Sequence, residues 1–230
     1  MQNTTSVETS AFSDGIDLSR LFSRSGTHRF KNFINNKADD LFNSFNAQLT
    51  PLLSYRTKGI DSIDKGTVYL EKGIALKSAK LSKVMKNCKD ALCFIATIGD
   101  GVEQEVARLT DEERLVDAYI LESMGSMAVE SMVESFCKDM ETKYNAKGKG
   151  ITLRFSPGYC DWSVAEQKKL FRMIDATRIN VSLTDSCLMR PRKSVSGVFG
   201  IYDYDGDCLA PSYNPCSDCN KKDCTARRVY

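Results

Sequence analysis

Two groups of residues in this sequence have the types and spacing for chemistry. The first is Arg154 with the loop that follows it, Arg-Phe-Ser-Pro-Gly-Tyr from Arg154 to Tyr159. A guanidinium is a planar fork of donors that matches a carboxylate through two parallel hydrogen bonds. Pro157 removes a backbone donor and biases Ser156 away from the α region, while Gly158 can take backbone angles closed to other residues. The segment is therefore a shaped loop able to present main-chain groups to a ligand. The same residues also fit a purely structural use, with Arg154 paired to a neighbouring carboxylate and Tyr159 packed on a sheet. The second group is Cys208, Cys216, Cys219 and Cys224, spaced C-x7-C-x2-C-x4-C in a tail rich in Pro, Asn, Ser and Asp. Such a tail offers thiols no core to enter, and four thiolates without histidine suit tetrahedral zinc or an iron–sulfur cluster. Zinc would be structural, whereas a cluster would carry an electron. The spacing is irregular for a zinc ribbon, which favours the cluster. His28 is the only histidine, so no scheme needing two from one chain applies, and no nucleophile–base pair of the hydrolase type is visible. No catalytic residue is assigned.

These groups need elements to position them. After Tyr159, Ser163 and Glu166 form a capping box that opens a short helix with Leu170, Phe171 and Ile174 on its apolar stripe. Ile179, Val181 and Leu183 alternate with polar residues and predict a strand, and Ser194 to Ile201 predicts a second one. Trp162, the only tryptophan, sits at the loop-to-helix junction, as a staple for the helix start or a contact for a partner. Upstream, Phe30, Phe33, Ile34, Leu41, Phe42 and Phe45 recur at helical spacing and predict an amphipathic helix ending before Pro51. Tyr55 to Lys65 reads as a polar connection. Period-two character follows around Val68 and Leu70, then helical spacing over Ala79 to Cys88. Ala91 to Gly99 is almost wholly apolar, as expected of a buried strand ending in a turn. Cys88 and Cys93 lie in these apolar stretches and read as small buried hydrophobes. Thr110 with Glu113 reads as a second capping box ahead of a long helix, with Leu115, Ala118, Leu121, Gly125, Ala128, Met132 and Phe136 along one face. Gly125 lowers helix propensity by about 1 kcal/mol relative to alanine, which makes sense where another element approaches closely. Glu130 flanks that face and by itself reads as a solvated helix charge.

With 230 residues, 42% hydrophobic and 27% charged, the chain is long enough for one large domain and an appendage. The net charge is +2, from 32 basic and 30 acidic residues, so nothing draws it globally to nucleic acid or an anionic membrane. The polar N-terminus and the absence of a long apolar run predict a cytoplasmic protein without a membrane span. There, nine cysteines do not form a disulfide framework. The expected division is a loosely held arm over 1–27, a domain over 28–206 and the cysteine-rich tail over 207–230.

The ordered set R-x-x-P-G-Y, a capped helix containing QKKLF, then I-x-V-S-L-T-D-S-x-x-M-x-P-x-K-S-V-S-G resembles the activation (reactivation) domain of cobalamin-dependent methionine synthase. Weaker agreement runs through Ala96–Glu103 and Asp117–Ser131, so the resemblance spans roughly Leu52 to Ile201. It implies an α+β fold, with a helical N-terminal half and a curved, mostly antiparallel sheet. It also implies S-adenosylmethionine binding by Glu130, Arg154, Ser156 and Tyr159. Ser156 replaces an alanine, a change that a main-chain contact tolerates, and Cys160-Asp161-Trp162 replaces a proline-containing stretch. The implied activity is part of a methyltransferase reactivation system in methionine biosynthesis. A free-standing counterpart of the domain would help reduce and remethylate cobalamin held by a corrinoid-binding protein or a short methionine synthase. The electron would come from a donor of the flavodoxin or ferredoxin type. Arg190, Arg192 and Lys193 would then form a basic patch facing the cobamide or that donor, or a solvated turn. The alternative is a non-enzymatic module that binds a corrinoid protein, has lost S-adenosylmethionine and keeps a structural metal tail.

Overall fold

The computed structural model describes residues 2–6, 36–38, 40–41, 44–204, 214 and 216. Its centre is the apolar strand β5 (Asp90–Thr97), flanked by β2 (Leu52–Asp64) and β9 (Ser194–Asp203), both antiparallel to it. A strand with partners on both edges and cover on both faces must be apolar throughout. Accordingly, Leu92, Phe94 and Ala96 enter one core, while Ala91, Cys93 and Ile95 enter the other. Outward from these strands lie β3 (Thr67–Leu70) with β4 (Ile74–Lys77) on one side and β6 (Lys149–Ile151) on the other, all pairs antiparallel. The short strand β1 (Gln2–Ser6), within the expected arm, pairs with Leu52–Arg56 of β2. The class is α+β with a curved antiparallel sheet, as the family resemblance implies.

Tyr55–Lys65 is not a polar connection. Nearly all of it belongs to the 13-residue β2, which β5 pairs along one edge while β1 and then β3 pair along the other, with a bulge between Ile60 and Ser62. Its polar residues hid it. Ser54 and Lys58 are buried at 0% and 8% exposure inside the sheet, so the strand is set by backbone pairing with remote segments and not by its own hydropathy.

One core lies between the sheet and α3 (Leu115–Asn145), whose 31 residues extend about 46 Å. The predicted face is correct from Ala118 to Phe136, but Leu115 is exposed. Phe136 gathers Tyr55, Phe94 and Phe199 at ring separations of 5.3, 5.6 and 6.3 Å. The second capping box does not form. Thr110 still belongs to α2 (Gly101–Asp111), donating its hydroxyl to the Val106 carbonyl, and Glu113 turns the chain at φ 60°. The charge that favours the start of α3 is instead Asp117, held by Arg114 at 2.8 Å and Lys37 at 2.7 Å. Those hydrogen bonds, led by the one from Lys37, keep the Asp117 carboxyl below its usual range. The expected N-terminal helix lies partly outside the described residues. Within it, 36–38, 40–41 and 44–47 are helical and Phe45 is fully buried.

Gly125 behaves as its composition implies. A Cβ there would lie 2.9 Å from Val102 Cγ1 and 3.2 Å from Lys193 Cε. Gly125→Ala is therefore expected to destabilise the fold by about 1 kcal/mol, the overpacking exceeding the gain in helix propensity. Urea denaturation checks it, and equal or greater stability would refute the close approach.

The second core, on the opposite face of the sheet, takes α1 (Ala79–Val84), α4 (Gln167–Met173) and Trp162, which is 1% exposed. The strand expected from Ile179 starts later, because Ile179 is the last residue of a 3-10 turn, Ala176–Ile179. Asp175 caps it by accepting from the Thr177 N–H, and Asn180 ends it in the left-handed region at φ 55°. Only β7 (Ser182–Leu183) remains extended, paired with β8 (Met189–Arg190). Cys88 and Cys93 are buried as expected, and burial pushes the Cys93 thiol up to about 12.

Candidate ligand-binding site

The chain leaves β6 and rejoins the sheet at Phe155, which exchanges two 2.8 Å hydrogen bonds with Val198 of β9. This bridge anchors the start of the Arg154 loop. Beyond it, Pro157 is buried and Gly158 takes φ 91°, as a shaped loop requires. The Gly158 N–H donates to the Trp162 carbonyl at 2.8 Å, and the Trp162 N–H donates to the Tyr159 carbonyl at 3.0 Å. The turn thus closes on itself, with Ser156 half-buried and Tyr159 exposed.

Arg154 and Glu130, 24 residues apart, meet in an ion pair of 2.7 Å across the junction of the loop and α3. The Arg154 side chain is 15% exposed and that of Glu130 is 45% exposed. Only one arm of the fork is used. Arg154 Nη1 is buried and has no hydrogen-bond partner among the described residues, while Glu130 keeps an oxygen toward solvent. The site therefore holds an unfilled donor beside a half-exposed carboxylate, an arrangement suited to a ligand carrying both a carboxylate and an ammonium.

One helical stripe positions more than this pair. Glu122, Ser126 and Glu130 follow at intervals of four on α3 and so share a face. Lys193, whose side chain is 6% exposed, donates to Ser126 Oγ and contacts Glu122, both at 2.8 Å, and Arg192 reaches Glu122 at 2.8 Å. The backbone N–H groups of Arg192 and Lys193 also donate to Glu103. Of the expected basic patch only Lys193 is turned inward, whereas Arg192 pairs with Glu122 at the surface with its side chain 62% exposed and Arg190 is exposed. Arg190 lines a shallow depression with Gln167, Thr184, Leu188 and Met189. Sequence reasoning missed Glu122 and Ser126. The four-residue spacing from Glu130 was the available signal, but nothing local indicated that Lys193 would fold onto it.

Asp161 was also missed as a structural group. Its carboxylate accepts from Ser78 Oγ at 2.6 Å, the Ala79 N–H at 2.7 Å and the Lys80 N–H at 3.2 Å. Burial pushes its carboxyl up, but these hydrogen bonds outweigh that and hold it below its usual range. The reciprocal half of the Ser163–Glu166 box is absent, since Glu166 instead accepts from Lys169 at 2.6 Å and the Lys77 N–H at 2.9 Å. Ser163 still caps by accepting from the Ala165 N–H.

Of the four tail cysteines, only Cys216 is described, half-buried, and Cys208, Cys219 and Cys224 lie outside the described residues. No group of three or more His, Cys, Asp or Glu side chains arranged for a metal occurs among the described residues. No helix among them is long and apolar enough to cross a membrane.

Residues 81–204 match the family model for the vitamin B12 dependent methionine synthase activation domain. The chain belongs to this family. Among solved structures it is similar to the MetH reactivation domain bound to AdoHcy, with a TM-score of 0.68 at 13% identity, covering 93% of this chain and 82% of that one. At that identity the likeness establishes the shared activation-domain fold. No curated protein matches the chain. Glu130, Arg154, Ser156 and Tyr159 all fall within the residues matched by the activation-domain family, whereas the four tail cysteines fall beyond them.

Proposed function

We propose that this activation-domain protein binds S-adenosylmethionine at the Arg154 loop and serves the reductive reactivation of cobalamin held by a corrinoid-binding partner. The observation that carries the ligand assignment is the Nη1 of Arg154 beside Glu130, buried and without a hydrogen-bond partner among the described residues. An α-amino acid head supplies a carboxylate for that donor and an ammonium for the free oxygen of Glu130. Ser156 and Tyr159, on the turn that follows, would border the remainder of the ligand, partly through main-chain groups. The similarity to a MetH reactivation domain solved bound to AdoHcy supports this choice of ligand class. When bound, S-adenosylmethionine supplies an electrophilic methyl group, while the chain's own residues bind and orient it. Titration calorimetry tests the assignment directly. Absence of heat at millimolar S-adenosylmethionine would favour a binding module that has lost this ligand.

Family membership supports the corrinoid partner. A purified corrinoid-binding protein with its cobalt in the Co(II) state is expected to co-elute with this chain in gel filtration, and independent elution would count against the reactivation role. An electron donor of the flavodoxin or ferredoxin type completes the proposed system.

For the tail, residues 207–230, cysteine spacing supports one metal centre held by Cys208, Cys216, Cys219 and Cys224, an iron–sulfur cluster in preference to zinc. Anaerobic purification is expected to give brown protein with iron and acid-labile sulfide. Colourless protein with one zinc would assign the tail to structure, and protein without either metal would refute the site.

A further inference from the structure

The binding turn is held at two ends by different means. At its start, Phe155 is part of the sheet through the Val198 bridge. At its far end no strand is available, and the chain crosses to α1. A helix leaves its first backbone N–H groups without intrahelical partners. In α1 these are divided between two residues 83 positions apart. Ser78, the cap within the chain's own path, accepts from the Leu81 N–H at 3.0 Å, and Asp161 accepts from Ala79 and Lys80 while also binding the Ser78 hydroxyl. Asp161 thus completes the cap of a helix to which it does not belong, and in doing so ties down the end of the turn that carries Tyr159 two residues earlier. Between them, Cys160 adopts the left-handed conformation at φ 56°, which favours a turn supported on both sides.

We propose that Asp161 is a positioning residue that keeps the Ser156–Tyr159 turn in its ligand-binding shape by clamping the turn to the start of α1. The inference rests on the reading of that turn as part of the S-adenosylmethionine site. A turn freed from its clamp populates other shapes, and the apparent dissociation constant rises by the inverse of the competent fraction.

The test separates clamping from mere support of α1. Asp161→Ala removes both. Asp161→Ala combined with Ser78→Asp gives α1 a strong cap of its own and leaves the turn untied. Both variants are expected to bind S-adenosylmethionine about tenfold more weakly than the parent in calorimetry, although the double variant regains the melting temperature lost in the single one. Binding by the double variant within about twofold of the parent would overturn the proposal and leave the ligand assignment standing. If the parent itself binds no S-adenosylmethionine, the ligand assignment fails and the clamp is decided by Trp162, the only tryptophan and almost fully buried. Acrylamide quenching that rises in the double variant supports the clamp, and unchanged quenching overturns it.

Discussion

Arg154→Ala is expected to weaken S-adenosylmethionine binding by about 1.5–3 kcal/mol, roughly 10- to 150-fold, because a charge-assisted contact to the ligand carboxylate is lost. The fold should survive. The partner left behind, Glu130, has a half-exposed side chain, so its charge returns to water and is not stranded in a low-dielectric interior. Arg154→Lys should recover only part of the loss, since an ammonium cannot hold Glu130 and a ligand carboxylate in the same two-armed plane. Calorimetry on the three proteins, with melting temperatures as a control, distinguishes the outcomes. Equal binding by Arg154→Ala and the parent would place the site elsewhere, whereas a large fall in melting temperature would make the ion pair structural.

Trp162→Ala is expected to lower stability by about 3–5 kcal/mol, a drop of roughly 10 °C in melting temperature for a domain of this size. The indole is 1% exposed in the core that also holds Leu81, Phe155 and Leu170. Its Nε1 lies 3.5 Å from Glu166, so the ring fills space and gains little from hydrogen bonding. This burial assigns the residue to packing at the loop-to-helix junction and takes it away from any partner surface. Chemical denaturation measures the loss, and a change below about 1 kcal/mol would show that the site collapses without penalty.

The readable parts of this fold were those whose signals are local. The apolar run at Asp90–Thr97 required burial on both faces, and β5 lies at the centre of the sheet for that reason. The small-residue face at Gly125 required a close neighbour, which proved to be the stem of Lys193 together with Val102. Two other local signals misled. Thr110–Glu113 has the spacing of a capping box, but α2 continues through Thr110 and a left-handed residue separates the helices. Ile179, Val181 and Leu183 alternate as in a strand, yet Ile179 closes a 3-10 turn that Asp175 caps and Asn180 ends, so pairing is confined to Ser182–Leu183.

Sequence by itself determined the family resemblance, which in turn implied the curved antiparallel α+β class, and the shaped loop after Arg154. The motifs that carry the resemblance and the loop rest on residue types within a few positions of one another, where backbone preference acts directly, whereas the fold class came with the resemblance. Only the tertiary structure decided that polar β2 is a strand, that Arg154 meets Glu130 with one nitrogen unfilled, that Lys193 turns inward and that Asp161 caps a helix 83 residues upstream. In those cases the partner that satisfies a charge or a backbone group lies on a remote segment. Which segment supplies it depends on how the sheet curves and where α3 crosses it, and no local pattern of residues encodes either.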